Sequence, residues 1–413
     1  MNIILLLLFV FLILNNIFQS IIPGLNYLDE ALTIFALYLY IVHPKGTVLN
    51  KYDKNITKAT IVVLLIGIIS TYCYHIQPNF SGIWRDFLAI IKFPLCYCIY
   101  NNYVKVQTKE MALKYAISFS RVFISILFVC GLINLIHHIP LFNDGERYGL
   151  PIYGFLYSHN TFMITAIIGM IGILMADGIT KHTKTILYAV IVLILSLRSK
   201  ALPIAFLVLF ILILKHKNKY FQTSKIKFWS LIIISALIAI YFSIDRINEY
   251  IYYANMSARG ALYIFGIDVA NRFFPLGSGF CTFASYLSGL YYSPLYYEYG
   301  MQGILGLTED DISFSADTFW PNIYGQYGYI GFAAYLMMLY YFFKSLNARF
   351  LYFSDKWLGS MILMLYALSA STAEAFFTND SAVIFAIILS IYLGKDTKYE
   401  NFRNFSVSGP RGC

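Results

Sequence analysis

The stretch TILYAVIVLILSLRSKALPIAFLVLFILIL, residues 185–214, decides how this chain is read. It is apolar almost throughout, with Arg198, Ser199 and Lys200 interrupting it near the middle. It is either one long helix broken at that tripeptide, or two membrane spans that meet in a tight turn. Charge chooses between them, because loops on the cytoplasmic side of a membrane are enriched in Lys and Arg. The segment that follows, 215–227, carries five lysines and so reads as cytoplasmic, which places Arg198 and Lys200 in an outer turn between two spans.

The same reading extends in both directions. Apolar runs long enough to span, some shortened by tilt or interruption, lie near 3–22, 27–43, 59–75, 84–100, 112–136, 151–176, 185–197, 201–214, 228–243, 319–343, 357–374 and 380–394. The expectation is an all-α polytopic membrane protein of about twelve transmembrane helices, 1–413 forming a single domain. The first run lacks a basic leader and a small-residue cleavage site, so it reads as a retained span. Composition agrees: 59% of the residues are hydrophobic, 12% are charged and the mean hydropathy is +0.66. A soluble domain needs a charged surface, and these values do not provide one. The six cysteines, at 73, 96, 98, 130, 281 and 413, form no C-x-x-C pair, and no histidine stands near them at ligand spacing. His75, His137, His138 and His159 lie near the outer face, again without ligand spacing. No metal or other cofactor is expected.

With twelve spans, every second loop is basic. The loops 44–58, 101–114, 178–186, 215–227 and 344–356, with the tail 395–413, hold 21 of the 30 basic residues. Both termini are therefore expected in the cytoplasm, the tail polar and disordered. The net charge of +9 follows this sidedness, and no nucleic-acid partner is expected. The opposite loops hold Arg85, Arg147, Arg198, Lys200, Arg246, Arg259 and Arg272, nearly all arginine. A planar guanidinium can grip a phosphate or diphosphate through two parallel hydrogen bonds, which a lysine point charge cannot do.

The longest loop, 244–318, lies on that outer side and is expected to carry short amphipathic helices. It has no lysine and an excess of acid, with Glu298, Glu309, Asp310, Asp311 and Asp317 among its carboxylates. Loops of this length are usually functional. Arg198 reads either as an interfacial side chain reaching for water or as an anion clamp at membrane depth. Arg259, which opens an amphipathic segment, favours the clamp. The run Pro275-Leu276-Gly277-Ser278-Gly279-Phe280 allows a tight turn and a close backbone approach to a ligand. Asp317 stands just before a span, where it serves as a helix cap or as a general base at a cavity mouth. Tyrosines 291, 292, 296, 297 and 299 suit either stacking on sugar rings or an aromatic belt.

In order, R-S-x-A (198–201), an outer arginine (259), P-L-G-x-G-F (275–280) and S-x-D-T-x-W-x-x-x-Y-x-Q-x-G-x-x-G (315–331) resemble the Wzy-type O-antigen polymerases and the related O-antigen ligases. The motifs cover roughly 185–343 and the topology covers the whole chain. The resemblance implies a GT-C-like membrane glycosyltransferase of the bacterial inner membrane, with its active site facing the periplasm. Its expected partners are undecaprenyl-diphosphate-linked glycan donor and acceptor, the bilayer and a polysaccharide chain-length regulator. It implies that Arg198 and Arg259 bind the donor diphosphate and that repeat units are joined with inversion and without metal. Asp317 occupies the position where ligases carry histidine, and Gln326 replaces a glutamate, so the polymerase is preferred over the ligase. Asp317 is the expected base. Arg147, Arg272, Glu298, Glu309, Asp310, Asp311, Tyr296 and Tyr324 are the expected acceptor contacts. A lipid-linked oligosaccharide flippase would share the spans and the arginines, but two similar halves and short loops would be expected of it, and neither is seen.

Overall fold

The computed structural model describes residues 2–18, 22, 27–42, 49–147, 149–217 and 256–392, with scattered positions between 230 and 253. The run at 228–243 and the start of the long loop fall largely outside the described residues, and the tail 395–413 does so entirely. Every other apolar run is helical, with shifted bounds. The helices are Asn2–Phe18, Leu28–Val42, Lys51–Tyr74, Phe80–Tyr103, Val106–His137, Asn160–Asp177, Thr183–Leu195, Ala201–Lys217, Trp320–Arg349, Asp355–Ala370 and Asp380–Ile387. Three are long and apolar enough to cross a membrane: Lys51–Tyr74, Val106–His137 and Asn160–Asp177. A helix suits lipid because it satisfies its own backbone polar groups.

Local chemistry sets the ends. Asn79 caps Phe80–Tyr103 by accepting from Gly82 N at 3.1 Å, and Ser354 caps Asp355–Ala370 through Trp357 N at 3.2 Å. His75 and His138 end their helices in the left-handed conformation. The Asn160–Asp177 helix is central, with 83% of its residues buried, against 33% of the most apolar 18-residue stretch of Lys51–Tyr74 and of Val106–His137. Asp355–Ala370 packs tightly on it at Gly359, where a Cβ would come 2.8 Å from the Gly172 carbonyl. Small residues allow such backbone approach between helices in lipid. Lys92, within Phe80–Tyr103, pairs with Asp29 and, at 2.9 Å, with Glu30; its side chain and that of Asp29 are buried.

The structure corrects several expected bounds. The 185–214 stretch is two helices joined by a turn at 196–200. The run expected at 151–176 begins as a strand, Leu150–Tyr153, which pairs antiparallel with Asn143–Arg147, and becomes helical only at Asn160. The run expected at 357–374 stops being helical at Ala370.

The long loop has its own small core, in which Ala261, Leu262, Phe283, Leu295, Tyr296 and Leu307 meet. Beside it the Trp320–Arg349 helix is broken at Gly328, whose φ is 60° and ψ −169°. The Pro275–Phe280 turn repairs the break: Ser278 N donates to Gly325 O at 3.0 Å and Gly279 N to Gln326 O at 2.9 Å. A Cβ on Gly277 would lie 2.3 Å from Gly328 N. The close approach expected of this glycine run is made to another backbone.

Candidate functional site

The turn at 196–200 directs its side chains through an unusual backbone. Leu197 is left-handed, with φ at 48°, and its carbonyl accepts from Arg147 Nη1 at 2.8 Å. Such a conformation in a non-glycine residue costs roughly 1–3 kcal/mol and persists where its surroundings impose it. The Arg198 carbonyl then starts the next helix, accepting from Ala201 N at 2.9 Å. The Arg198 side chain spreads over two partners, with Nε to Asn160 Oδ1 at 2.7 Å and Nη2 to Asp144 Oδ2 at 2.9 Å. Asp144 also accepts from the Asn160 amide at 3.0 Å, so it stands at the N-terminus of the central helix. The hairpin, the turn and the central helix are locked together through one guanidinium and one carboxylate.

Arg259 reaches the same end of the bundle from the long loop. Ser257 caps its helix, Ala258–Arg272, by accepting from Gly260 N at 3.2 Å. Arg259 Nη2 donates to Asp317 Oδ2 at 2.7 Å, and the two side chains are 26% and 32% exposed, partly desolvated yet open to a ligand. One turn on, the Tyr263 hydroxyl donates to Thr372 O at 3.0 Å, and burial pushes it up to about 12 despite nearby Arg259. Tyr324 donates to Tyr263 O at 3.0 Å, which ties the Trp320–Arg349 helix to this layer.

Asp317 does not cap a helix. The helix starts at Trp320, its N-cap is Phe319 and no side chain caps it. Asp317 instead lies in an irregular segment of turns and bends, hydrogen-bonded to the chain after Ala370. Phe319 N donates to Ser371 O at 3.2 Å, and Ala375 N donates to Ala316 O at 3.1 Å. These bonds lay the segment that carries Glu374 along the one that carries Asp317, and Lys200 Nζ donates to Glu374 Oε2 at 2.7 Å. Burial raises the Asp317 carboxyl above its ordinary value of 3.8, while Arg259, Lys200 and Arg198 pull the other way.

The structure therefore gathers Arg198, Arg259 and Asp317, with Arg147 and Tyr324 at the margin. It does not bring the other expected contacts to them. Arg272 pairs with Glu298 on an exposed face, and Tyr297 donates to Glu309 Oε2 at 2.6 Å. Asp311 is held below the usual carboxylate range by hydrogen bonds from Ser313, and neighbouring Asp310 is exposed. Tyr296 is fully buried, its hydroxyl accepting from Ala284 N at 3.2 Å and bonding Ser288 Oγ at 2.9 Å, so its ring has no face for a sugar.

Four residues of the cluster were missed: Asp144, Asn160, Lys200 and Glu374. Glu374 carried a signal, since a carboxylate is costly in a run read as lipid-embedded. Asp144 and Asn160 carried none, because only the fold brings them to Arg198. No family model and no curated protein matches the chain.

Proposed function

We propose that this chain is a membrane polysaccharide polymerase that joins undecaprenyl-diphosphate-linked oligosaccharide repeat units at the periplasmic face of the bacterial inner membrane. The observation that carries the reading is the convergence of Arg198, Arg259 and Asp317 from three distant segments onto one end of an apolar helical bundle. A twelve-span topology with both termini cytoplasmic would put that end in the periplasm, where lipid-linked repeat units are presented.

The chemistry follows from the groups present. An acceptor hydroxyl oxygen attacks the donor's anomeric carbon, and the bond from that carbon to the diphosphate oxygen breaks with inversion. The electron pair leaves with undecaprenyl diphosphate, and the hydroxyl proton passes to Asp317. Two guanidinium groups in a partly desolvated site stabilise the charge that develops on the leaving group. Each arginine now holds a carboxylate, Asp144 or Asp317, in the position a phosphate would take. An incoming diphosphate displaces both carboxylates, and Asp317 is released to act as base only when donor is bound.

The test is gel analysis of purified protein incubated with lipid-linked repeat unit from its own host, in the presence of EDTA. A ladder of products supports the reading. No ladder, with substrate crossing proteoliposomes, replaces it with a flippase. Transfer to lipid A core alone replaces it with a ligase.

A further inference from the structure

Glu374 stands just after the helix that ends at Ala370 and is paired with Lys200 at 2.7 Å. Its side chain and that of Lys200 are only 13% and 14% exposed, so neither is an ordinary surface charge. Lys200 satisfies Oε2, while Oε1 is enclosed with no donor among the described residues. A buried acceptor without a donor costs about 1–3 kcal/mol and more when charged, so such atoms call for an explanation. The segment around it is anchored by burial and hydrogen bonds. Phe376 and Phe377 are fully buried, Thr372 O accepts from Tyr263, and two backbone hydrogen bonds zip the segment to that of Asp317. That second segment carries a further enclosed hydroxyl, Thr318 Oγ1, without a partner among the described residues.

We propose that Lys200 and Glu374 form the acceptor subsite, with Glu374 Oε1 accepting a hydrogen bond from a sugar hydroxyl adjacent to the one that attacks. The proposal rests on the polymerase reading and deepens it. The missing donor is an O–H, the group that sugars present in abundance and diphosphates lack. Lys200 fixes the carboxylate in place, while Asp317, on the neighbouring segment, takes the proton. Donor and acceptor thus occupy different carboxylate and cation pairs of one cluster. An acceptor lacking that neighbouring hydroxyl is rejected because Glu374 stays unpaired.

The experiment uses the full chain in detergent, with lipid-linked repeat unit as donor and a phenyl glycoside of the same repeat unit, which can only accept. Glu374→Gln is expected to raise the KM for the glycoside at least about tenfold, the worth of a charge-assisted hydrogen bond. Binding of undecaprenyl diphosphate should stay within about twofold, and Glu374→Asp should recover part of the loss, which separates the subsite from a folding defect. Equal loss of donor and acceptor binding in Glu374→Gln, or no change in either, overturns the subsite. A wild type that builds the ladder beside an unaffected Glu374→Gln removes this inference alone. A wild type that neither builds a ladder nor glycosylates the phenyl glycoside removes the polymerase reading and the subsite together.

Discussion

Replacing Arg259 by lysine isolates what a guanidinium supplies beyond charge. Arg259→Lys keeps the positive charge, so long-range attraction of an anionic donor is unchanged. It removes the fork, of which Nη2 now sits 2.7 Å from Asp317, in a pair whose members are 26% and 32% exposed. A lysine places one compact donor there and cannot hold two oxygens side by side. Loss of one charge-assisted hydrogen bond is worth about 1.5–3 kcal/mol. At about 1.36 kcal/mol per decade, kcat/KM should fall roughly 10- to 150-fold. The assay is single-turnover transfer from labelled donor at subsaturating concentration, with thermal midpoint and gel-filtration profile confirming that the variant is folded. Arg259→Ala should be worse, because Asp317 then has no guanidinium beside it. An Arg259→Lys enzyme within about threefold of wild type would refute the bidentate clamp, since a point charge would then suffice.

Four further outcomes are expected. The raised Asp317 carboxyl is active as base only when ionised, so the rate should rise with pH through a midpoint above 3.8. The charged groups acting on it are Arg259, Lys200 and Arg198. The sign for stability is opposite: a raised folded-state value stabilises the fold at low pH, and that contribution is lost as pH rises through it. An acid limb that persists unaltered in Asp317→Asn would exclude this assignment. Asp144→Asn weakens the internal competitor for Arg198; the exposed pair is worth up to about 1 kcal/mol, so donor KM should fall about two- to fivefold, and an unchanged KM would mean that no displacement occurs. Gly277→Ala puts a Cβ 2.3 Å from Gly328 N at a φ of +80°, so the protein should lose about 3 kcal/mol or more and melt lower; an unchanged thermal midpoint would contradict the clasp. Lys92→Met strands Asp29, 2% exposed, and should cost about 3–5 kcal/mol, which Lys92→Met with Asp29→Asn should largely restore; an uncoupled pair would show that the contact is unimportant.

What could be read from the chain divides by physical cause. Helices announce themselves because lipid demands long apolar runs, and the basic loops supply a sidedness that hydrophobicity alone lacks. The turn at 196–200 and the pairing of Arg259 with Asp317 lay within reach, since charged residues at the ends of apolar runs are few and each needs a partner. The break at Gly328 lay out of reach. Glycine is common in membrane helices, and only the carbonyls of Gly325 and Gln326 taken by Ser278 and Gly279 show that this one ends a hydrogen-bond ladder. Glu374 is conspicuous as a carboxylate among Ala373, Ala375, Phe376 and Phe377, but its place in the site is not, because the backbone has already left the helix at Ala370. Asp144 was hidden by its hairpin, whose residues look like a polar connection until Asn143–Arg147 folds onto Leu150–Tyr153 and turns the carboxylate toward Arg198. The cations of this site interrupt or flank apolar helices, where positive charge is conspicuous. Two of their carboxylate partners depend on irregular backbone that no periodicity records, and for that reason sequence reading finds the clamp before it finds what the clamp holds.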